Sequence, residues 1–284
     1  MSFFSNTAFD SGRTIPFTPT HIAAVVPIAA MRTRLPFTAL VIGSMVPDIA
    51  VFFPSLVAYL RTHSLVGVVT VCPLIGWACH SVFLAIMQRP LIALLPAWIQ
   101  HRLPEDREVF RWRESAAVLM ASGLGAATHV FWDSFTHTGR WGTTLIPALN
   151  SVAFNYGDRT FLWSTTLQYG FTFVLLPVLM SGAWVKLNQR EHTSRPFTLS
   201  RRWKAAAAVV CLLIPISCCA WFFTEAESSY ILLGQTVKYT GAIYILLALG
   251  FSIFITARFG SADGSLSHSQ KVQSAPGGEQ RPPG

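Results

Sequence analysis

The sequence predicts an all-α membrane protein, a polytopic bundle of transmembrane helices. Of its 284 residues, 52% are hydrophobic and only 12% are charged, and the mean hydropathy is +0.46. Soluble domains usually carry about 25% charged residues. Several apolar runs also reach the roughly 20 residues that a helix needs to cross about 30 Å of hydrocarbon.

Six apolar segments are predicted to span the membrane, with a short apolar helix over residues 20–31 before them. That short helix is either a further crossing or a re-entrant element. A helix along the membrane surface is predicted over 89–104, where apolar and basic residues alternate around Trp98. The predicted spans are 37–57, 64–87, 115–137, 161–185, 205–223 and 230–257.

Basic residues concentrate in particular linkers, which accounts for the net charge of +8 without a nucleic-acid partner. The linkers 88–114 and 186–204 are rich in Lys and Arg, so the positive-inside rule places them in the cytoplasm. The turn 224–229, with Glu225 and Glu227, then lies outside. We therefore expect a multi-pass protein of the inner (plasma) membrane, with its C-terminal tail in the cytoplasm.

The chain divides into an N-terminal segment over 1–14, a helical membrane domain over 15–259, and a tail over 260–284. The first segment lacks the basic and apolar regions of a signal peptide. The tail is rich in Gly, Ser, Pro and Gln and is predicted to be disordered. Within the domain, 15–170 holds the candidate site and 171–259 supplies supporting helices. The sequence does not indicate an oligomeric state.

Ionisable residues inside the predicted spans are the strongest functional signal. His129, Asp133 and His137 are spaced i, i+4 and i+8, so at about 100° per residue they share one face of a helix. A charge at this depth costs a few kcal/mol without a partner, which applies to Asp133 and to Asp48. A bound cation is the expected partner.

Two prolines shape the remaining candidates. Pro47 precedes Asp48 and is predicted to break the helix within the membrane. Pro19 suits the first turn of the short helix, with Thr18 as its N-cap. The positive end of that helix disfavours a protonated His21, and neutral imidazole is the form that binds metals.

Depth along the spans brings these residues together. At about 1.5 Å per residue, His63 and His137 lie at the outer boundary and Asp48 about 13 Å below it. His80 lies about 24 Å from the outer end of its span and is predicted to be a hydrogen-bonded packing residue. The predicted metal ligands therefore form a column that opens outward: His21, Asp48, His63, His129, Asp133 and His137.

Zinc is the expected metal, because the set offers imidazole nitrogen and carboxylate oxygen without thiolate. Manganese or iron would accept the same ligands, and the set suits one or two ions. A bundle held by ordinary polar hydrogen bonds is the alternative, since a single intramembrane His usually has that role.

Four sequence blocks carry a resemblance to a bacterial membrane family, domain of unknown function family 4184. They are PFTPTHIAA, ALVIGSMVPD, the HSL at His63, and THVFWDSFTH, and the resemblance covers most of residues 15–250. The family is similar to membrane-bound metal-dependent hydrolases and, more remotely, to zinc-dependent phospholipase C and P1 nuclease.

The resemblance implies a role for each of the six residues as a metal ligand, with Asp133 bridging two ions. The soluble enzymes also use a free N-terminal amine and a later His-x-x-x-Glu pair. Here His21 lies well inside the chain, and no such pair follows His137. The resemblance therefore implies one or two metals rather than three.

These observations predict a metal-dependent hydrolase in which a metal-activated water attacks a phosphoester. A phospholipid or lipid-linked phosphate at the outer leaflet is the expected substrate, and Asp48 or Asp133 is the expected general base. Gln168 and Tyr169 are candidates for lining the cavity. The alternative is a non-catalytic membrane protein with a structural or transport metal site.

Overall fold

The computed structural model describes residues 18–31, 33–103, 112–157, 159–191, 198–223 and 229–259. This part of the chain is predominantly helical, which confirms the all-α prediction at the level of fold class. The predicted segment 1–14, the tail 260–284, and the turn with Glu225 and Glu227 lie outside the described residues.

Short helices dominate the chain up to residue 103. A 3₁₀ turn over Thr18–His21 leads into α1, a second over Val46–Asp48 separates α2 from α3, and a π-helical segment over Phe83–Met87 joins α6 to α7. Pro47 lies within the second turn and interrupts the helix there, as predicted. The helices are α1 (Ile22–Ala30), α2 (Phe37–Met45), α3 (Ile49–Phe52), α4 (Tyr59–Thr62), α5 (Leu65–Val69), α6 (Val71–Val82), α7 (Gln88–Leu94) and α8 (Ala97–Gln100).

Longer helices follow from residue 112 onward. The 3₁₀ turns in this part are Trp112–Glu114 and Pro147–Asn150. The remaining elements are α9 (Ser115–Thr136), α10 (Trp141–Leu145), β1 (Val152–Tyr156), β2 (Arg159–Leu162), α11 (Trp163–Asn188), α12 (Arg201–Phe222) and α13 (Ser229–Phe259).

Among the described residues, five helical segments are long and apolar enough to cross a membrane, which indicates a membrane protein. Thr18–Ala30 and Phe37–Phe52 are shorter apolar helices. The five segments are Val71–Leu94, Ser115–Thr136, Trp163–Asn188, Arg201–Phe222 and Leu232–Arg258.

Two predicted boundaries are wrong. The predicted span 37–57 ends as a helix at Phe52. The predicted span 64–87 runs as Val71–Leu94 and so includes part of the segment that was expected to lie on the membrane surface. The π-helical turn carries the helix through residue 87, and Pro90 sits in the first turn of α7, where its missing N–H is tolerated.

An antiparallel hairpin of β1 and β2 was not predicted. Tyr156 pairs with Arg159 and Phe154 with Phe161, and the two phenylalanine rings stack at 4.8 Å. Gly157 has a φ of +58° in the turn, a conformation that glycine adopts without strain. The strand residues described in β1 are mostly exposed, so no buried alternation marked them in the sequence.

The closest helix packing lies between α2 and α9. A Cβ on Gly125 would lie 2.6 Å from the backbone nitrogen of Ser44 and still nearer the carbonyl oxygen of Leu40. Because Gly125 has no side chain, the two backbones approach each other closely. Ala39, Leu40 and Ala121 are part of the apolar cluster at this contact.

The later helices contact the first half of the chain through α3, α7 and the π-helical segment. α12 packs against α13, and Ala93, Leu199 and Ile255 form an apolar cluster that joins α7 to α13. Phe52 of α3 lies against Gly241 of α13. The long C-terminal helix therefore contacts the segment that directly follows Asp48.

Candidate metal centre

The six predicted ligands lie at element ends and on α9. His21 and Asp48 end the two 3₁₀ turns. His63 directly follows α4, whereas His129 and Asp133 lie one turn apart on α9. His137 follows the end of α9.

Four of these residues bring one ligand atom each into a group whose members all lie within 4.8 Å of one another. Nε2 of His129 is 3.2 Å from Oδ2 of Asp133 and 3.5 Å from Oδ1 of Asp48. Nε2 of His63 is 3.5 Å from Oδ2 of Asp133 and 3.7 Å from Oδ1 of Asp48. We call this group the four-residue cluster: Asp48, His63, His129 and Asp133.

His21 and His137 face the other oxygen of Asp133. Nε2 of His21 is 3.5 Å from Oδ1 of Asp133, and Nδ1 of His137 is 3.7 Å from the same oxygen. The His21 ring also stacks on His129 with 3.8 Å between centroids. Asp133 is therefore central, with one carboxylate oxygen toward the four-residue cluster and the other toward His21 and His137.

The expected helical stripe of three ligands is only partly correct. α9 ends at Thr136, and His137 has an extended backbone with φ −122° and ψ 133°. Its side chain is therefore not placed by helical periodicity. The turn after α9 nevertheless keeps Nδ1 of His137 beside Asp133.

Backbone carbonyls fix the ring orientation of two histidines. Nδ1 of His129 donates to the carbonyl of Ser44 at 2.7 Å, and Nδ1 of His63 lies 3.2 Å from the carbonyl of Tyr59. A carbonyl oxygen only accepts hydrogen bonds, so each Nδ1 that faces one donates to it. The Thr62 hydroxyl, 3.1 Å from Nδ1 of His63, donates its own proton to the carbonyl of Pro47 at 2.8 Å and can accept from that Nδ1. The lone pair of each neutral ring is then on Nε2, which faces the cluster.

Thr18 has a different role from the helix cap that the sequence predicts. Its hydroxyl donates to Oδ2 of Asp48 at 2.7 Å, and no side-chain cap bond precedes α1. The hydrogen bond occupies one oxygen of Asp48 and leaves Oδ1 directed at the histidines. Thr18 is buried, so this bond is shielded from water.

The four-residue cluster fits a divalent cation. Oδ1 of Asp48, Nε2 of His63, Nε2 of His129 and Oδ2 of Asp133 are all buried and have no hydrogen-bond partner among the described residues. Buried acceptors without donors are costly. A cation at their centre would satisfy all four, and imidazole with carboxylate is a donor set that zinc accepts.

A tyrosine and an arginine lie beside the cluster, and no sequence pattern singles them out. The Tyr59 ring stacks on His63 with centroids 3.8 Å apart, and the Arg140 guanidinium carbon is 5.3 Å from the Tyr59 centroid. Burial lowers the pKa of His63 and favours its neutral form. Burial, with Asp133 and Asp48 nearby, raises the pKa of Tyr59, so the phenol keeps its proton.

Gln168, Tyr169 and His80 were also considered in the sequence. Gln168 is buried, with Nε2 3.4 Å from Nε2 of His137, and Tyr169 follows it on α11. His80 is 2.9 Å from the Thr38 hydroxyl and lies outside the cluster, as predicted. The five cysteines are free thiols.

Fold and site together define a helical, multi-spanning membrane protein with a buried histidine and aspartate cluster. The family model described as Domain of unknown function (DUF4184) matches residues 15–257. The chain therefore belongs to this family, as the four sequence blocks indicated. No curated protein and no solved structure matches the chain.

Proposed function

We propose that this protein is a membrane-embedded, metal-dependent hydrolase that acts on a phosphoester such as a phospholipid or a lipid-linked phosphate. One observation carries the proposal: four buried acceptor atoms from three segments converge without hydrogen-bond donors in the described chain. Such a group is stable when a cation lies between its members.

Zinc is the proposed metal, with manganese or iron as the next choices. The four-residue cluster would hold one ion. His21, His137 and Oδ1 of Asp133 would hold a second, since both imidazoles lie within 3.7 Å of that oxygen. Asp133 would bridge the two ions, which the sequence resemblance also implies.

A divalent ion in this cluster would lower the pKa of a water molecule and stabilise negative charge that develops on a phosphoester. The chain's own residues would hold the ions, orient them and exclude bulk water. Either Asp133, both of whose oxygens face histidines, or Asp48 would serve as the general base. Asp48 also uses both of its oxygens. Its Oδ1 faces the cluster, whereas Oδ2 accepts the Thr18 hydrogen bond.

We further propose six crossings, with Phe37–Phe52 as the first, and Thr18–Ala30 as a re-entrant helix beside it. Two broken helices at the same depth would place their unpaired backbone N–H and C=O groups inside the protein, where such groups are tolerated. The site would then face the extracytoplasmic side of the plasma membrane, and the tail would be cytoplasmic. A lipid headgroup could reach the site from that side.

The direct test compares purified wild-type protein with the Asp133→Asn variant. Asparagine has nearly the same shape and removes the charge, so we expect metal content to fall by about tenfold or more and phosphodiesterase activity to disappear. Glu114→Gln is the matched control, because Glu114 is exposed at the other end of α9. Metal is measured by elemental analysis in detergent.

A structural metal site is the second candidate, and one observation favours it. The four ligands are 1%, 6%, 0% and 3% exposed in chain order, and structural zinc sites are closed. Wild-type protein that holds metal but hydrolyses nothing in a broad panel of lipid phosphates would favour this second candidate. Metal-free wild-type protein would contradict both candidates and favour a bundle held by hydrogen bonds.

A further inference from the structure

Arg140 lies at the edge of the candidate centre with its charge uncommitted to any carboxylate. The guanidinium carbon is 5.3 Å from the ring centroid of Tyr59, and no ion pair among the described residues includes Arg140. Tyr59 also stacks on His63, so Arg140 and a cluster imidazole contact the same aromatic ring.

The local backbone holds Arg140 in this position. Gly139 has a φ of +75°, which reverses the chain just after His137 and which other residues rarely adopt. The carbonyl of Arg140 then accepts hydrogen bonds from the hydroxyls of Thr143 at 2.9 Å and Thr144 at 3.1 Å. The arginine backbone is thus fixed, while its side chain is partly exposed.

A guanidinium on an aromatic face presents its N–H donors at its edges. The Arg140 side chain also makes a hydrogen bond with Tyr59, and because a guanidinium carries five N–H donors, its remaining donors can still bind an anion. One divalent ion would cancel the charges of the Asp48 and Asp133 carboxylates. The positive charge of Arg140 would then give the metal-bound centre a net positive charge. Such a centre attracts an oxyanion and disfavours a neutral ligand.

We infer that Arg140 is a substrate-binding residue that holds a phosphate oxyanion beside the metal centre, an inference that rests on the proposed hydrolase function. The bound group is a phosphate mono- or diester oxygen, either on a lipid or on a soluble molecule. Tyr59 positions the guanidinium through its ring. No sequence pattern indicates this pair, because 81 positions separate Tyr59 from Arg140 (140 minus 59).

The test measures inorganic phosphate binding to zinc-loaded, detergent-purified protein by calorimetry. Arg140→Gln should weaken phosphate binding by about 10- to 100-fold, since a charge-assisted hydrogen bond is worth about 1.5–3 kcal/mol. Arg140→Lys should retain part of the affinity, because it keeps the charge but loses the planar fork. Arg61→Gln is the matched control, because Arg61 is an exposed arginine in the segment before His63.

Dioctanoyl phosphatidate, titrated in parallel, distinguishes the two sources of the phosphate group. Tighter binding than inorganic phosphate would support a lipid substrate, and equal binding a soluble one, with Arg140 required in both cases. Unchanged phosphate affinity in Arg140→Gln, or loss of zinc from that variant, would overturn the inference. Wild-type protein that binds phosphate through Arg140 without carrying zinc would contradict the hydrolase proposal and leave this inference standing.

Discussion

Asp133 is central because its two oxygens face different sets of imidazoles. Oδ2 lies near His63 and His129, and Oδ1 lies near His21 and His137. Asparagine at this position would keep one acceptor oxygen but would place an amide group where the other set needs a second acceptor. If both sets of imidazoles bind metal, asparagine therefore cannot replace Asp133, although it is the residue closest to aspartate in shape.

Thr18 provides a test of how the ligands are oriented. Thr18→Val keeps the shape of the side chain and removes the hydroxyl that donates to Asp48. We expect metal affinity to fall by about 10- to 100-fold, as for other residues that orient metal ligands. Competition with a zinc-binding dye measures the affinity.

Thr18→Ser is the control for this substitution, because serine keeps the donor. Its affinity should remain close to that of wild-type protein. Equal zinc affinity in the valine and serine variants would show that the hydroxyl does not orient Asp48.

At the scale of single residues, the sequence predicted the candidate metal ligands but not the groups that orient their side chains. Spacing and depth pointed to His129, Asp133 and Asp48, because charged groups in an apolar span need a partner. The carbonyls of Ser44 and Tyr59 could not be foreseen, since a backbone oxygen is present whatever the residue is. The role of Thr18 was ambiguous, because a hydroxyl can cap a helix or bind a distant carboxylate, and only the fold decides which.

At the scale of elements, the contact between α2 and α9 determines whether His129 reaches Ser44. Gly125 lies one turn before His129 and permits this contact. Small residues cluster in the middle of α9, a pattern that is typical of close helix approach. It could not identify α2 as the partner, since that choice depends on the tertiary arrangement of several helices.

Gly125→Ala should push the two helices apart. The added Cβ would clash with the α2 backbone, which cannot move as a flexible side chain can. We expect a loss of about 1–3 kcal/mol in the free energy of unfolding, together with weaker metal binding. Denaturant unfolding in detergent measures the first quantity.

Gly170→Ala is the matched control on α11. No atom lies within 4 Å of the position that its Cβ would take, and alanine in a helix is more stable than glycine by about 0.5–1 kcal/mol. The two substitutions should therefore change stability in opposite directions. A similar loss in both would mean that the α2 contact does not explain the effect.

At the scale of the whole molecule, the helices form a binding part and a supporting part. The candidate ligands come from residues 21 to 137, and α12 and α13 contact this region at α7. The sequence predicts this division, because ionisable residues in apolar spans cluster in the first half. The number of crossings was harder to predict, since Phe37–Phe52 is short and broken at Pro47.

Cysteine labelling would determine the orientation of the chain. In a background without the five native cysteines, Ser55→Cys should react with a membrane-impermeant maleimide in intact cells. Ser200→Cys should react only after the membrane is permeabilised, because its linker is basic. Both serines are exposed, so accessibility to the reagent differs only by the side of the membrane.

The reversed pattern would place the candidate centre at the cytoplasmic face and would exclude an outer-leaflet substrate. Labelling of both positions in intact cells would mean that the linkers lie on the same side. Either result would contradict the proposed topology.

The order of the ligands along the chain has a consequence for biogenesis. Ser44 precedes its partner His129 by 85 positions, so a ribosome completes Asp48 well before α9 exists. Thr18 is the partner already made, 30 positions earlier. Of the two hydrogen-bond contacts named here, the Thr18–Asp48 contact can therefore form first, and the four-residue cluster is complete only after Asp133 has been synthesised.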